Sequence, residues 1–327
     1  MYRTSQIQWK HQRLNNGCAW TCLAILLSRW SINIEVEQLI ARSIIPYLIE
    51  YCSADNAFRA GMQVQHTEVF NSITQPFGLE HIDQRFSGWD SFHRKAVQLL
   101  GEGIPFMTCI ATRSIPLSAY DILRKSGGES RGHAVVIFGY DDEEYLGLDP
   151  DGGLDRSGFY NFDSIKDKVQ FRIKPDDLRN GLERKPGKSY LIGWQKPAEP
   201  GQFPEMSDYL NISRESVRIF RNRMKVFIEE INGTAHLSHE TFMERIHSMI
   251  KPITLDLVTA IETIEQKSKC QLQLSDELLK LRKVFQEHQS YLGSRSLSDL
   301  DGMTDRICIL LTKHIDSFTT LPHPTEQ

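Results

Sequence analysis

The chain has 327 residues, 40% of them hydrophobic and 24% charged, a balance that supports buried cores and argues against a disordered or fibrous polypeptide. Its formal net charge of -4 and pI near 6.3 provide no global positive field, so neither nucleic acid nor an anionic membrane is expected as a partner. The longest apolar run, Leu23 to Leu27, stops at Ser28-Arg29, far short of the roughly 20 residues that a membrane-spanning helix needs.

The polar start, Met1 to Gln6, lacks the basic, apolar and small-residue succession of a secretory leader. Six cysteines scattered over this length are no dense disulfide framework, so reduced thiols and a cytoplasmic location are expected. Asn15-Asn16-Gly17 offers turn chemistry before an apolar segment and predicts a helix from Cys18 to Arg29, with Cys18 at its N-terminus. Helices are also predicted over Ile34 to Ser43, where Val36, Leu39 and Ile40 share a face, and over Ser91 to Leu100. The segment from Ile44 to Glu80 has no period that assigns it.

Strand-like runs follow at Ile104 to Ile110, Ala134 to Tyr140, Tyr145 to Leu148, Val169 to Ile173 and Tyr190 to Trp194. Asp141-Asp142-Glu143-Glu144 reads as a hairpin turn that makes Ala134 to Tyr140 and Tyr145 to Asp149 antiparallel neighbours. Three prolines and a glycine within Lys196 to Pro204 mark a linker. Beyond it, Val217, Phe220, Met224, Phe227, Ile228 and Ile231 form one helical stripe, and Leu300, Met303, Ile307, Leu310, Leu311, Ile315 and Phe318 another. Phe242 to Ile264, broken by Pro252, and Leu272 to Tyr291 have similar periodicity. The expected organisation is an α+β domain at 1–195, a linker at 196–206 and an all-α bundle of four or five helices at 207–327.

A cysteine is a useful nucleophile only as thiolate, and a helix N-terminus or a nearby imidazole favours that form. Cys18 has the first by position. Gln12, six residues upstream on a loop that turns through Gly17, can aim a primary amide at a developing oxyanion. His133 opens the apolar strand Ala134 to Tyr140 and is the candidate base. Asp149 ends the paired strand; it and His133 are about equidistant from the turn, which predicts that they oppose each other across the ladder. Asp151 competes for the same orienting role, and either carboxylate could instead start the turn before Gly152-Gly153.

Plainer readings stand beside these. Free cysteine is among the most buried residue types, so Cys18 alone would read as packing; Cys52, Cys109, Cys270 and Cys308 do read that way. Cys18, Cys22 and His133 lack a fourth ligand and match no zinc spacing, so no metal or other cofactor is expected. His11 is expected on an exposed loop, and Arg218, Arg221, Arg223 and Lys225 on a solvated helix face.

Taken together, Q-x5-C-A-W-T-C-L-A-I-L-L from Gln12 to Leu27, G-H-A-V-V-I-F-G-Y-D-D from Gly132 and the following L-D-P resemble the C39-like branch of papain-fold cysteine peptidases, over about residues 5–195. The resemblance implies a papain-like fold with Cys18 as nucleophile, His133 as base, Asp149 as third member and Gln12 as oxyanion residue. The family usually has glycine after the cysteine, where this chain has Ala19. Exporter-associated members continue into membrane helices and this chain does not, so leader processing during export is not implied. The expected activity is a soluble thiol enzyme, a cysteine peptidase or amidase acting on a peptide through an acyl-enzyme. The alternatives are an acyltransferase or amide-forming enzyme served by an acyl-carrier thioester, docked on the Arg218 to Lys225 face, and a catalytically silent interaction module. Oligomeric state is left open by the sequence.

Overall fold

The computed structural model describes residues 2–3, 7–14, 17–41, 48–52, 57–127, 130–141, 143–184, 188–199, 206–233 and 298–318. Along the chain run β1 (Tyr2–Arg3), α1 (Cys18–Leu27), α2 (Val36–Ala41), β2 (Ile49–Cys52), β3 (Ala57–Ala60), α3 (Thr67–Thr74), β4 (Leu79–Phe86), α4 (Trp89–Gly101) and β5 (Phe106–Ala111). They are followed by α5 (Asp121–Ser126), β6 (Gly132–Tyr140), β7 (Tyr145–Leu148), α6 (Phe162–Val169), β8 (Gln170–Ile173), α7 (Pro175–Arg184), β9 (Tyr190–Pro197), α8 (Met206–Gly233) and α9 (Ser298–Phe318). Two units result: Met1–Leu39 with Phe77–Glu199, and Ile40–Pro76 with Pro200–Gln327. The expected domain at 1–195 was continuous, whereas residues 40–76 group with the later part of the chain.

The first unit is built on an antiparallel sheet in the order β4-β9-β5-β6-β7-β8, with β1 paired to the end of β6. β5 and β6 read as continuous apolar runs because both of their faces are covered. Phe106 and Ile110 of β5, Val135 and Ile137 of β6 and Ile192 of β9 join a core with Phe92 and Leu99 of α4 and Leu178 and Leu182 of α7. The alternate residues Met107, Ala134 and Val136 are also buried but lie outside that core, and β5, β6 and β9 all contact α1. α1 is apolar around its whole circumference, as a helix packed in a core must be; every residue after Cys18 is buried.

The hairpin of β6 and β7 has a different register from the one the sequence predicts. Tyr140 pairs with Tyr145 and Val136 with Leu148, with an irregularity between Ile137 and Gly139. The ladder starts at Tyr140–Tyr145, which without a bulge would carry Asp149 to a place opposite Val136. The extra residue of the bulge moves it one place, opposite Val135, so that it shares a face with His133 and lies diagonal to it instead of directly opposite. On the other side of β7, Gly147 is the ladder partner of Phe171 in β8 and leaves room for its ring: a Cβ on Gly147 would fall 2.2 Å from it.

β4, which the sequence does not announce, pairs with β9 from Leu79–Pro197 to Phe86–Tyr190. Lys196 and Pro197 therefore belong to a strand and not to the expected linker, with Lys196 Nζ 3.1 Å from Glu80 Oε2. Proline is tolerated there because it ends the ladder. α6 and α7 were likewise not expected.

In the second unit, β2 and β3 form a hairpin, and α8 contacts β2, α3 and α9. Val217, Phe220, Met224, Phe227 and Ile228 of α8 are buried, as are Ile307, Cys308, Leu311 and Ile315 of α9, the heptad-like spacing of an apolar seam. Arg214–Asp316 at 3.0 Å and Arg221–Asp305 at 2.7 Å flank that seam. Arg218 is paired with Glu215, and Arg223 stacks 4.5 Å over the ring of Tyr51, so this basic face is largely matched from within. The helices expected over 242–264 and 272–291 lie outside the described residues, as does most of the expected bundle. Among the described residues no helix is long and apolar enough to cross a membrane.

Candidate active site

Gly17 lets the chain turn tightly into α1. Its N–H donates to the Leu14 carbonyl at 3.2 Å, and a Cβ there would stand 3.0 Å from that oxygen. The Gly17 carbonyl then accepts from the N–H and Oγ1 of Thr21, both at 2.8 Å, closing the first turn. Cys18 is left as the first helical residue and the one residue of α1 that is not fully buried. Its sulfur stands at the positive end of the helix dipole.

His133, the second residue of β6, is buried and shares hydrogen bonds with two partners. Its Nε2 donates to Asp149 Oδ1 at 2.8 Å, and it also hydrogen-bonds the Cys18 side chain, for which Nδ1 is the ring nitrogen that remains. Asp149 is fully buried just beyond β7. Besides His133, it accepts the Asp151 N–H at 2.8 Å and the Tyr120 hydroxyl at 2.7 Å. The carboxylate that meets His133 is thus that of Asp149; Asp151 contributes its backbone, and burial together with the Asp149 charge pushes its own carboxyl up.

Charges respond in a consistent sense. Burial alone would raise the Cys18 thiol, but the hydrogen bond and charge of His133, with the backbone amides of Ala134 and Ala19, bring it below its ordinary value. Burial opposes an imidazolium at His133, yet the Asp149 charge and hydrogen bond and the Cys18 hydrogen bond hold its pKa well above the usual one. Burial also opposes charge on Asp149, and His133, Tyr120 and the Asp151 amide outweigh it, leaving the carboxyl below its usual range. A thiol moved down beside an imidazole moved up is the condition for a thiolate–imidazolium pair. Cys22, one turn along α1, has the opposite fate: complete burial, then the neighbouring Cys18, push its thiol well up. Among the described residues no group of His, Cys, Asp or Glu could hold a metal ion.

Gln12 is buried and tied to the same corner. Its backbone N–H donates to the Pro150 carbonyl at 2.8 Å, and its side-chain Nε2 donates to Leu14 at 3.3 Å. Upstream in the same segment, Trp9 and His11 reinforce the anchorage. The Trp9 indole donates to the Asp149 carbonyl at 2.9 Å. His11, expected on an exposed loop, is buried because its ring stacks on Trp9 at 5.7 Å and meets Tyr160 edge-on at 5.1 Å. Burial keeps its pKa low.

Tyr120 is the residue that sequence reasoning missed. It closes a short turn before α5, its ring centroid 6.3 Å from that of His133. Gly152 and Gly153 adopt left-handed φ values of 56° and 66°, and a Cβ on Gly153 would fall 2.7 Å from the Ala119 Cβ. The paired glycines after Asp149 therefore let this loop lie against the turn that carries Tyr120. They were a signal that something approaches closely there, without saying what.

Replacing Tyr120 by phenylalanine should keep the ring and remove one donor from a buried anion, a loss of about 1.5–3 kcal/mol, or tenfold and upward in rate. With that donor gone, the Asp149 carboxyl protonates at higher pH. The acid side of the pH profile for Cys18 alkylation should move up; an unchanged profile would mean that the hydroxyl does not act on the site.

A model of the Peptidase_C39 like family matches residues 3–172, more than half of the chain. The chain belongs to this family. The match contains Gln12, Cys18, Tyr120, His133 and Asp149 and ends before α7 and β9. Membership in the Peptidase_C39 like family supports a cysteine peptidase-type hydrolase. No curated protein matches the chain.

Proposed function

We propose that this protein cleaves an amide bond, in a peptide or a peptide-like substrate, through an acyl-enzyme on Cys18. The observation that carries the reading is the position of His133, hydrogen-bonded to Cys18 and, through Nε2 at 2.8 Å, to the fully buried Asp149. In this reading the Cys18 thiolate attacks the carbonyl carbon, and a C–S bond forms as the carbonyl π electrons move to oxygen. Gln12 Nε2 and the Cys18 backbone N–H are the donors for that oxyanion, Gln12 turning from Leu14 to do so. When the tetrahedral species collapses, the C–N bond breaks and His133 Nδ1–H protonates the departing amine. His133, now neutral, takes a proton from water as its oxygen attacks the thioester, and release of the acid restores the thiolate–imidazolium pair. Asp149 stays ionised throughout and keeps Nδ1 directed at sulfur.

The test is the pH dependence of Cys18 alkylation by iodoacetamide, followed by mass of the intact protein. Reactivity should persist on the acid side of the ordinary thiol range near 8.5. Cys18 that reacts only as pH approaches that range would sink the proposal. Mixing with a generic acyl thioester should then give an adduct on Cys18 that decays to free enzyme in water alone; decay that requires an added amine would instead identify an acyltransferase.

A further inference from the structure

The turn after β5 and helix α7 border a concavity of about 470 Å³ that takes no part in the thiol site. Its lining includes five cations, Arg113, Arg124, Arg172, Lys174 and Arg184, against two carboxylates, Glu144 and Asp177. Pairing accounts for only some of this charge. Arg172 is held by Glu144 at 2.7 Å and by Asp141, while Arg124 is held by Asp121 and by the carbonyls of Leu117, at 2.9 Å, and Ile115. Arg113, Lys174 and Arg184 have no carboxylate within ion-pair distance among the described residues. Three cations thus face the concavity with Asp177 as the one unpaired acid beside them.

Arg113 adds a second observation, because its Nε is buried and has no hydrogen-bond partner among the described residues. A buried guanidinium N–H without an acceptor is costly, and like charges gathered on one wall repel. The wall is also fixed in place. Gly181 lets α7 approach the turn so closely that a Cβ there would stand 3.0 Å from the Ser114 Cβ. Lys174 directly precedes α7, whose N-terminal dipole adds positive potential at this end.

We propose that this concavity binds a small polyanion bearing phosphate groups. Planar guanidinium forks and a mobile ammonium suit phosphate oxygens, which would meet the unpaired charge of the wall. The volume suits a ligand of metabolite size, within the roughly 300–1,000 Å³ of ordinary small-molecule sites. None of the residues that make the pocket belongs to the thiol site, so the proposal does not depend on the catalytic reading.

The experiment is calorimetric titration of the full chain with inorganic pyrophosphate, at ionic strength held constant with sodium chloride. One-to-one saturable binding is expected, weakening as salt rises. Lys174→Gln combined with Arg184→Gln changes two exposed side chains and should weaken binding by about tenfold or more, as should Arg113→Gln alone. Arg85→Gln with Arg94→Gln, an equal charge change at exposed positions on β4 and α4, should leave it unaltered. Absence of saturation, several equivalents bound, or equal loss in the Arg85 and Arg94 control would overturn the site.

Discussion

Cys18→Ala is expected to abolish acyl-enzyme formation and to lower turnover by about four orders of magnitude or more, while the fold persists. The first residue of α1 can lose its sulfur cheaply. Cys18 is only half-buried, alanine is the best helix former, and the turn that starts the helix rests on Gly17 and Thr21, not on the thiol. The neighbouring thiol cannot take over, because Cys22 is wholly buried and its thiol is pushed up, away from the thiolate. Far-UV circular dichroism should match the wild type, and mass of the intact variant after exposure to an acyl thioester should be unchanged. An adduct on the variant would place the nucleophile elsewhere.

Asp149→Ala should damage both chemistry and stability, and by amounts that can be separated. Without the carboxylate, His133 loses the group that fixes its ring and holds it protonated, a loss of about 10⁴ in turnover by analogy with triads in general. The same substitution leaves the buried His133 and the Tyr120 hydroxyl without their shared acceptor, and breaking one side of a buried pair costs about 3–5 kcal/mol. The wild-type contribution depends on pH in a definite sense. Asp149 is held below its unfolded value, so its stabilisation is present above the ordinary carboxylate range and is lost as pH falls through the depressed folded value. His133 is held above its unfolded value, so its contribution is full below about 6.5 and fades as pH rises through the folded value. Thermal midpoints of wild type and variant should therefore differ most between those two limits and converge outside them. A difference that is constant across pH would mean that packing, and not charge, sets the cost.

Features set by neighbouring residues were the ones legible in the sequence. The Asn-Asn-Gly turn and the apolar run that follows put Cys18 at a helix start, and the acidic turn between two apolar runs announced β6 and β7. The diagonal placing of His133 and Asp149, where direct opposition was expected, was not recoverable, because the register is set by the Tyr140–Tyr145 pair and by one extra residue in the bulge near Phe138, neither of which alters the local pattern. β4 was hidden for a different reason. Where an apolar side chain would have marked the inner face, it carries His81, fully buried and satisfied by Gln195 at 2.8 Å and Asp83 at 3.0 Å. α7 opens with Pro175 and two acids, a sound start signal, but its buried side is only Leu178, Gly181 and Leu182. Tyr120 reaches a carboxylate far along the chain, and no local period encodes such a bond.

The grouping of residues 40–76 with the chain beyond residue 200 imposes an order on biosynthesis. Phe58 of β3 is buried and meets Phe220 of α8 edge-on at 5.4 Å. At ordinary translation rates the ribosome delivers α8 on the order of ten seconds after that hairpin. Through that interval Phe58 has Tyr51 of its own hairpin at 5.5 Å but not Phe220, while strands β4 to β9 of the sheet emerge. The hairpin therefore waits with part of its aromatic face uncovered while the sheet of the other unit is being made.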